Sequence, residues 1–162
     1  MVGDFEVRQA QPGDIAALAG LGMEIQQLHV EGRPDIFRAA DETALREFFE
    51  AQFTDGKHAL LALDGEEPIG YLLAEHLRRA GNAFKHGSSI LYIHHVAVAE
   101  SAQGRGVGKA LIAGASDIAR GVGASSMRLD SWQFNTHAHE FFGTQGFAPV
   151  NVVFERTVES GR

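Results

Sequence analysis

Three glycines at alternate positions, Gly104, Gly106 and Gly108, follow an apolar run and precede a run with helical spacing. Glycines packed so closely between a strand and a helix commit the chain to a sharp turn. Its backbone stays open to close approach because no Cβ intervenes. The first turn of the following helix offers unpaired N–H groups and the positive end of its dipole, which together attract an anion. Arg105 and Lys109 add positive side chains suited to phosphate oxygens. The segment from Gln103 to Lys109 therefore reads as a phosphate-binding turn. A Walker A loop needs glycine at 103 and Ser or Thr at 110, where the chain has Gln103 and Ala110. A dinucleotide fingerprint needs G-x-G-x-x-G, and the chain has G-x-G-x-G. Asp130 imitates the ribose-binding acid of that fold, but a domain starting near residue 90 leaves too little chain.

The periodicity around the turn sets the architecture. Phe5 to Ala10 alternates and predicts a first strand, and Pro12-Gly13-Asp14 then turns into a helix running to about Glu31. A second helix is expected from about Glu42 to Gln52, capped by Asp41. His58 to Leu63 is a compact apolar run, Asp64-Gly65 is a hairpin signal, and Ile69 to Leu77 pairs back. Residues 78–88 read as a polar loop, and Ser89 to Ala99 as the long strand that leads into the glycines. Beyond them come a helix from Val107 to about Arg120, a strand from Ser126 to Ser131, a helix from Asn135 to Gln145, and a last strand from Phe147 to Val158. The order βααβββαβαβ indicates an α/β fold, a mixed sheet with helices on both faces. The length, 162 residues, suits one domain over residues 1–162.

Composition removes several functions. The absence of cysteine excludes disulfides, thiolate metal sites and a cysteine nucleophile. Eight histidines invite a metal, but His94-His95 and His137-x-His139 are poor sets for one face, with no acid at ligand spacing, so none is expected. A net charge of −7 speaks against nucleic acid as a partner. No apolar run approaches the roughly 20 residues that span a bilayer, and Met1 to Glu6 lacks signal-peptide character. A cytoplasmic protein with no membrane partner is the expectation.

Two motifs then coincide. Gln103-Gly104-Arg105-Gly106-Val107-Gly108 fits Q/R-x-x-G-x-G/A at a strand-to-helix turn. Asn135, Ala138, Phe141, Phe142, Gly146 and Phe147 follow N-x-x-A-x-x-F-Y with a later G-F. With both, the chain resembles the GNAT superfamily of N-acetyltransferases, in element order from residue 5 to 158. The resemblance implies a central sheet whose fourth and fifth strands splay apart and acetyl-coenzyme A as cosubstrate. It places the pyrophosphate on Gln103, Gly104, Arg105, Gly106, Val107, Gly108 and Lys109. The pantetheine would lie along Val96, Ala97 and Val98, with Asn135 and Phe142 facing it from the following helix.

The implied reaction is direct attack of a primary amine on the thioester, the acceptor being a small molecule or, second, a protein lysine or N-terminus. By that resemblance His94 occupies the position of the proton acceptor. His95 is the alternative, and transfer through water alone is a third. Strand alternation puts His94 on the face of Val96 and Val98 and His95 opposite, unless a bulge intervenes. Phe142 stands where the family commonly has a tyrosine acid, so His139, on the same helical face, or solvent must protonate the departing thiol. The missing tyrosine also motivates a rival, a catalytically silent coenzyme A-binding regulatory module. A homodimer remains open. Trp132, Phe134, His29 and Glu31 fall where acceptor contacts vary.

Overall fold

The structure is a computed structural model that describes residues 4–161. Residues 1–3 and Arg162, which the single-domain expectation includes, lie outside the described residues. The elements run β1 (Glu6–Gln9), α1 (Ile15–Gly32), α2 (Glu42–Thr54), β2 (His58–Asp64), β3 (Glu67–Arg79), β4 (Ser88–Val98), α3 (Val107–Val122), β5 (Ser126–Leu129) and α4 (Thr136–Thr144). The local signals act as their chemistry requires. Asp41 caps α2 by accepting the Ala44 N–H at 3.0 Å. Gly65 turns the β2–β3 hairpin with φ of 61°.

The five strands lie in sequence order, antiparallel from β1 to β4 and parallel between β4 and β5. Helices cover both faces. α2 seats Phe49 against Tyr71 of β3, ring centroids 5.4 Å apart, and α1 packs beside it. On the other face α3 comes down on Gly70, where an added Cβ would lie 3.0 Å from Val107 and 3.3 Å from Leu111. Leu18, Phe49, Leu61, Tyr71, Leu72, Leu73, Leu91, Val107 and Leu111 form the dry centre between these layers.

Two expectations change. Arg78 and Arg79 belong to β3, so the polar loop shortens to residues 80–87. Asn82 holds it closed by accepting the N–H groups of Phe84 and Lys85. The last strand is not formed, because residues 147–161 make no ladder. Alternation shows that a segment is suited to a sheet. It does not supply the neighbouring strand on which a ladder depends. Among the described residues no helix is long and apolar enough to cross a membrane.

The two helical layers make opposite demands on glycine. At Gly70 a Cβ would sit 2.9 Å from the Ala97 carbonyl oxygen, whereas Gly20 on α1 has open space and is exposed. Gly70→Ala is expected to cost about 1–3 kcal/mol through overpacking against backbone. Gly20→Ala is expected to add roughly 0.5–1 kcal/mol through helix propensity. Urea denaturation of the two variants checks both signs.

Candidate active site

The site begins where β4 and β5 part. Their parallel ladder lasts from Ile90 opposite Ser126 to Ile93 opposite Leu129, and past it, among the described residues, β4 has β3 on one side and no strand on the other. At the same point the β3–β4 register skips a residue. Leu73 faces His95 while Ala74 faces Ile93, leaving His94 as the extra residue of a bulge. The bulge breaks the expected alternation. Val96 and Val98 lie opposite Leu72 and Gly70, on the α3 face. Both histidines end on the α1–α2 face, beside Glu75 and Tyr71.

Their environments differ sharply. His95 sits under Phe48, ring centroids 5.5 Å apart, and its Nδ1 is 3.0 Å from the Tyr71 hydroxyl. Burial, then repulsion from His94 and His29, pushes its pKa down to about 4. Burial also holds Tyr71 in its protonated form. The simplest accounting has the Tyr71 O–H donate to Nδ1, leaving the His95 proton on Nε2. His94 is partly exposed, and its Nε2 lies 2.8 Å from Glu75 Oε2. An ionised carboxylate only accepts, so that nitrogen carries the proton and Nδ1 keeps a free lone pair. Tyr92, 5.1 Å from the His94 ring, donates to Asp130 across the mouth of the gap. Burial, and then that carboxylate, raises Tyr92 to about 12.

Glu75, Tyr71 and the Tyr92–Asp130 pair did not emerge as site residues from motif spacing. Glu75 carried a faint signal, an acid interrupting the apolar strand from Ile69 to Leu77. An aromatic group borders the same face. Phe37 stacks on His29 at 4.8 Å and meets Trp132 edge-on at 5.1 Å, and Trp132 stacks with Phe134. Phe134 lies so close over the last turn of α1 that a Cβ on Gly32 would fall 2.2 Å from its ring.

The glycine turn divides its labour. Gly104 and Gly106 take φ of 78° and 84°, a left-handed conformation, with open space where a Cβ would be. Gly106 is the N-cap of α3, and Ala110 N–H to Gly106 O closes the first turn. The N–H groups of Val107, Gly108 and Lys109 therefore precede the first intrahelical bond. Gly108 serves packing instead: an added Cβ would lie 2.9 Å from Phe141 of α4. Lys109 and Gln103 are exposed, and Arg105 pairs with Asp64 at 2.9 Å.

α4 presents the remaining candidates. Asn135 caps the helix, its Oδ1 accepting the Ala138 N–H at 3.3 Å, which leaves the side-chain amide to face outward groups. Phe142 lies against Phe141 and Phe147. His139 Nε2 donates to the Trp132 carbonyl at 3.0 Å, so that proton already braces the turn after β5. Val96, Ala97 and Val98 form the strand edge across the gap. Among the described residues no group of three or more His, Asp or Glu is placed to hold a metal.

A family model for the acetyltransferase (GNAT) family matches residues 23–147. No curated protein matches significantly. A Bacillus halodurans protein, solved as a variant with four substitutions, superposes with a TM-score of 0.89 at 22% identity, over 94% of this chain and 99% of its own. An aminoglycoside N-acetyltransferase in complex with CoA gives 0.76 at 21%, over 94% of each chain. A Bacillus halodurans transcriptional regulator gives 0.75 at 21%, over 95% and 99%. At such identities these likenesses establish the fold, a five-stranded mixed sheet with β4 and β5 parallel.

The depressed pKa of His95 couples acid to stability. Between about 6.5 and about 4 the unfolded chain binds a proton that the folded chain refuses, so stability is complete above this window and falls as pH drops through it. The loss reaches about 3 kcal/mol. His95→Gln, which keeps a polar partner for Tyr71, is expected to flatten this part of the stability profile. Urea titrations at pH 7 and pH 4.5 measure the difference.

Proposed function

The chain belongs to the acetyltransferase (GNAT) family, and we propose that it transfers the acetyl group of acetyl-CoA to a primary amine of a small molecule, by direct attack. The observation that carries this reading is His94, placed by the bulge where β4 and β5 part and oriented by Glu75. The cradle fits a diphosphate. Gly104 and Gly106 leave open the space that side chains would fill, and the free N–H groups of α3 follow them. Gln103 to Lys109 would hold the pyrophosphate, Val96, Ala97 and Val98 would flank the pantetheine arm, and Asn135 and Phe142 would close the gap from α4. Acetyl-CoA supplies the activated thioester.

The chain's own task is proton movement. An alkylamine has a pKa near 10, so it arrives protonated and must lose that proton before it can attack. His94 Nδ1 accepts it, and the Glu75 carboxylate stabilises the imidazolium through Nε2. His95 is ill suited to the same task, because a base that protonates only near pH 4 takes few protons at neutrality. Phe142 has no proton to give, and His139 has already committed its Nε2 proton to a carbonyl. A thiol of the coenzyme A type has a pKa of about 8.5, so solvent suffices for its protonation. The aromatic group of Phe37, Trp132 and Phe134 would border the acceptor. One transferase domain over residues 1–162, in the cytoplasm, completes the reading.

A thiol-release assay with a panel of amines tests it. Amine-dependent release is expected. His94→Gln should lower kcat by about 10²–10⁴. Glu75→Gln should lower kcat by less, because the imidazole then keeps its place on β4 and loses only the carboxylate that orients it. Tight cofactor binding with no release across the panel would instead establish the silent regulatory module.

A further inference from the structure

Between Glu75 and Glu100 the chain carries no acidic residue, although its formal net charge is −7. The middle of that stretch is the turn from β3 into β4, where Arg78, Arg79 and Lys85 are exposed. Among the described residues none of the three enters an ion pair. Phe84 stands among them, 95% exposed. A single apolar side chain on a surface means little by itself. The setting of this one gives it significance.

The turn is built to hold its shape. Asn82 Oδ1 accepts the N–H groups of Phe84 at 2.8 Å and Lys85 at 2.9 Å, and the Asn82 N–H donates to the Lys85 carbonyl at 2.9 Å. Gly81 and Gly87 pinch its base. A Cβ on Gly81 would lie 3.1 Å from the Gly87 nitrogen, and one on Gly87 would lie 3.3 Å from the Arg79 carbonyl oxygen. β2 pairs with β3 only as far as Ala74, and β5 pairs with β4 only from Ile90 onward. The last two ladder pairs, Arg78 opposite Ser89 and Arg79 opposite Ser88, therefore form a ribbon with Phe84 beyond its end. This tip lies at the end of β4 away from the glycine turn, roughly 30 Å along the strand.

We infer that this tip rests on an anionic lipid surface, with Phe84 below the headgroups and Arg78, Arg79 and Lys85 among their phosphates. Two observations favour that partner over an acidic protein or a nucleic acid. The apolar group lies outermost and the cations behind it, which matches the order of layers met on entering a bilayer from within. Neighbouring residues of a strand point to opposite faces, so Arg78 and Arg79 place charge on both sides of the ribbon. A protein socket or a strand of phosphates presents its charge on one side, whereas a lipid surface surrounds the tip. A turn already closed loses little freedom on docking. Beyond about 8 Å, physiological salt screens the acidic remainder of the chain from that surface. The expectation of no membrane partner rests on the lack of a spanning run and of a signal peptide, and a tip lying on the surface needs neither. The inference stands apart from the transferase reading, since none of these residues is assigned to the reaction.

Flotation of the full chain with vesicles tests it. Binding is expected to vesicles of phosphatidylcholine and phosphatidylserine in equal parts, not to phosphatidylcholine alone, and added salt should weaken it. Phe84→Ser should lower the affinity about tenfold, and Arg79→Gln or Lys85→Gln about fivefold each. The three side chains are exposed, so these variants remove no packed group, and circular dichroism should match the parent chain. In Phe84→Trp, which keeps an aromatic apex, indole fluorescence should shift to the blue on the mixed vesicles by more than Trp132 alone shifts in the parent chain. No binding to the mixed vesicles overturns the proposal, and so does binding that Phe84→Ser and Arg79→Gln leave intact. Phe84-dependent binding to poly-glutamate or to a DNA oligonucleotide, without binding to vesicles, overturns it in favour of a protein or a nucleic-acid partner.

Discussion

The short ladder between β4 and β5 is the contact on which the rest of the site depends. It holds the two strands together for four residue pairs and ends at Ile93 and Leu129. A longer ladder would close the gap that a thin ligand needs. A shorter one would leave α3 and α4 without a common base. The bulge at His94 coincides with this end, because an extra residue raises the local twist and turns β4 away from its neighbour. Parting of the strands and presentation of the histidines are therefore one structural event.

That event separates two adjacent histidines into different chemistries. His95 is buried beneath Phe48 and beside Tyr71, and that burial, with repulsion from His94 and His29, favours its neutral form. His94, one residue earlier, is partly exposed and meets the Glu75 carboxylate at 2.8 Å. Sequence adjacency says nothing of this difference, since it arises from which side of a bulge each ring leaves the strand. Lys57 Nζ lies 4.0 Å from the same Glu75 oxygen that His94 Nε2 meets at 2.8 Å.

Much of the fold was legible because its signals are local. The turn glycines, the Asp64-Gly65 hairpin and the Asp41 cap act within a few residues of themselves, and each stands where its pattern placed it. The glycine spacing marks the strand-to-helix turn before α3, although Gly108 answers to Phe141 and not to the turn. What could not be read depends on partners distant in sequence. The skipped residue at His94 is a property of β3 and β4 together. Glu75 becomes part of the site only through that register. The segment after Phe147 alternates as a strand should, but alternation does not supply a neighbouring edge, and no ladder forms there.

Arg105 shows how such a site can be both preformed and receptive. In the structure it bridges from the turn to Asp64 at the β2–β3 hairpin, with both side chains substantially exposed. Exposed pairs of this kind contribute about 0–1 kcal/mol, so the bridge orders the guanidinium without holding it tightly. In the proposed reading a diphosphate would offer more charge than one carboxylate, and it would arrive beside the N–H groups that open α3. The exchange of partners would then favour a ligand with two phosphates and be close to neutral for a single carboxylate. Selection for the longer anion would follow from the weakness of the resting ion pair as much as from the glycines that make room for it.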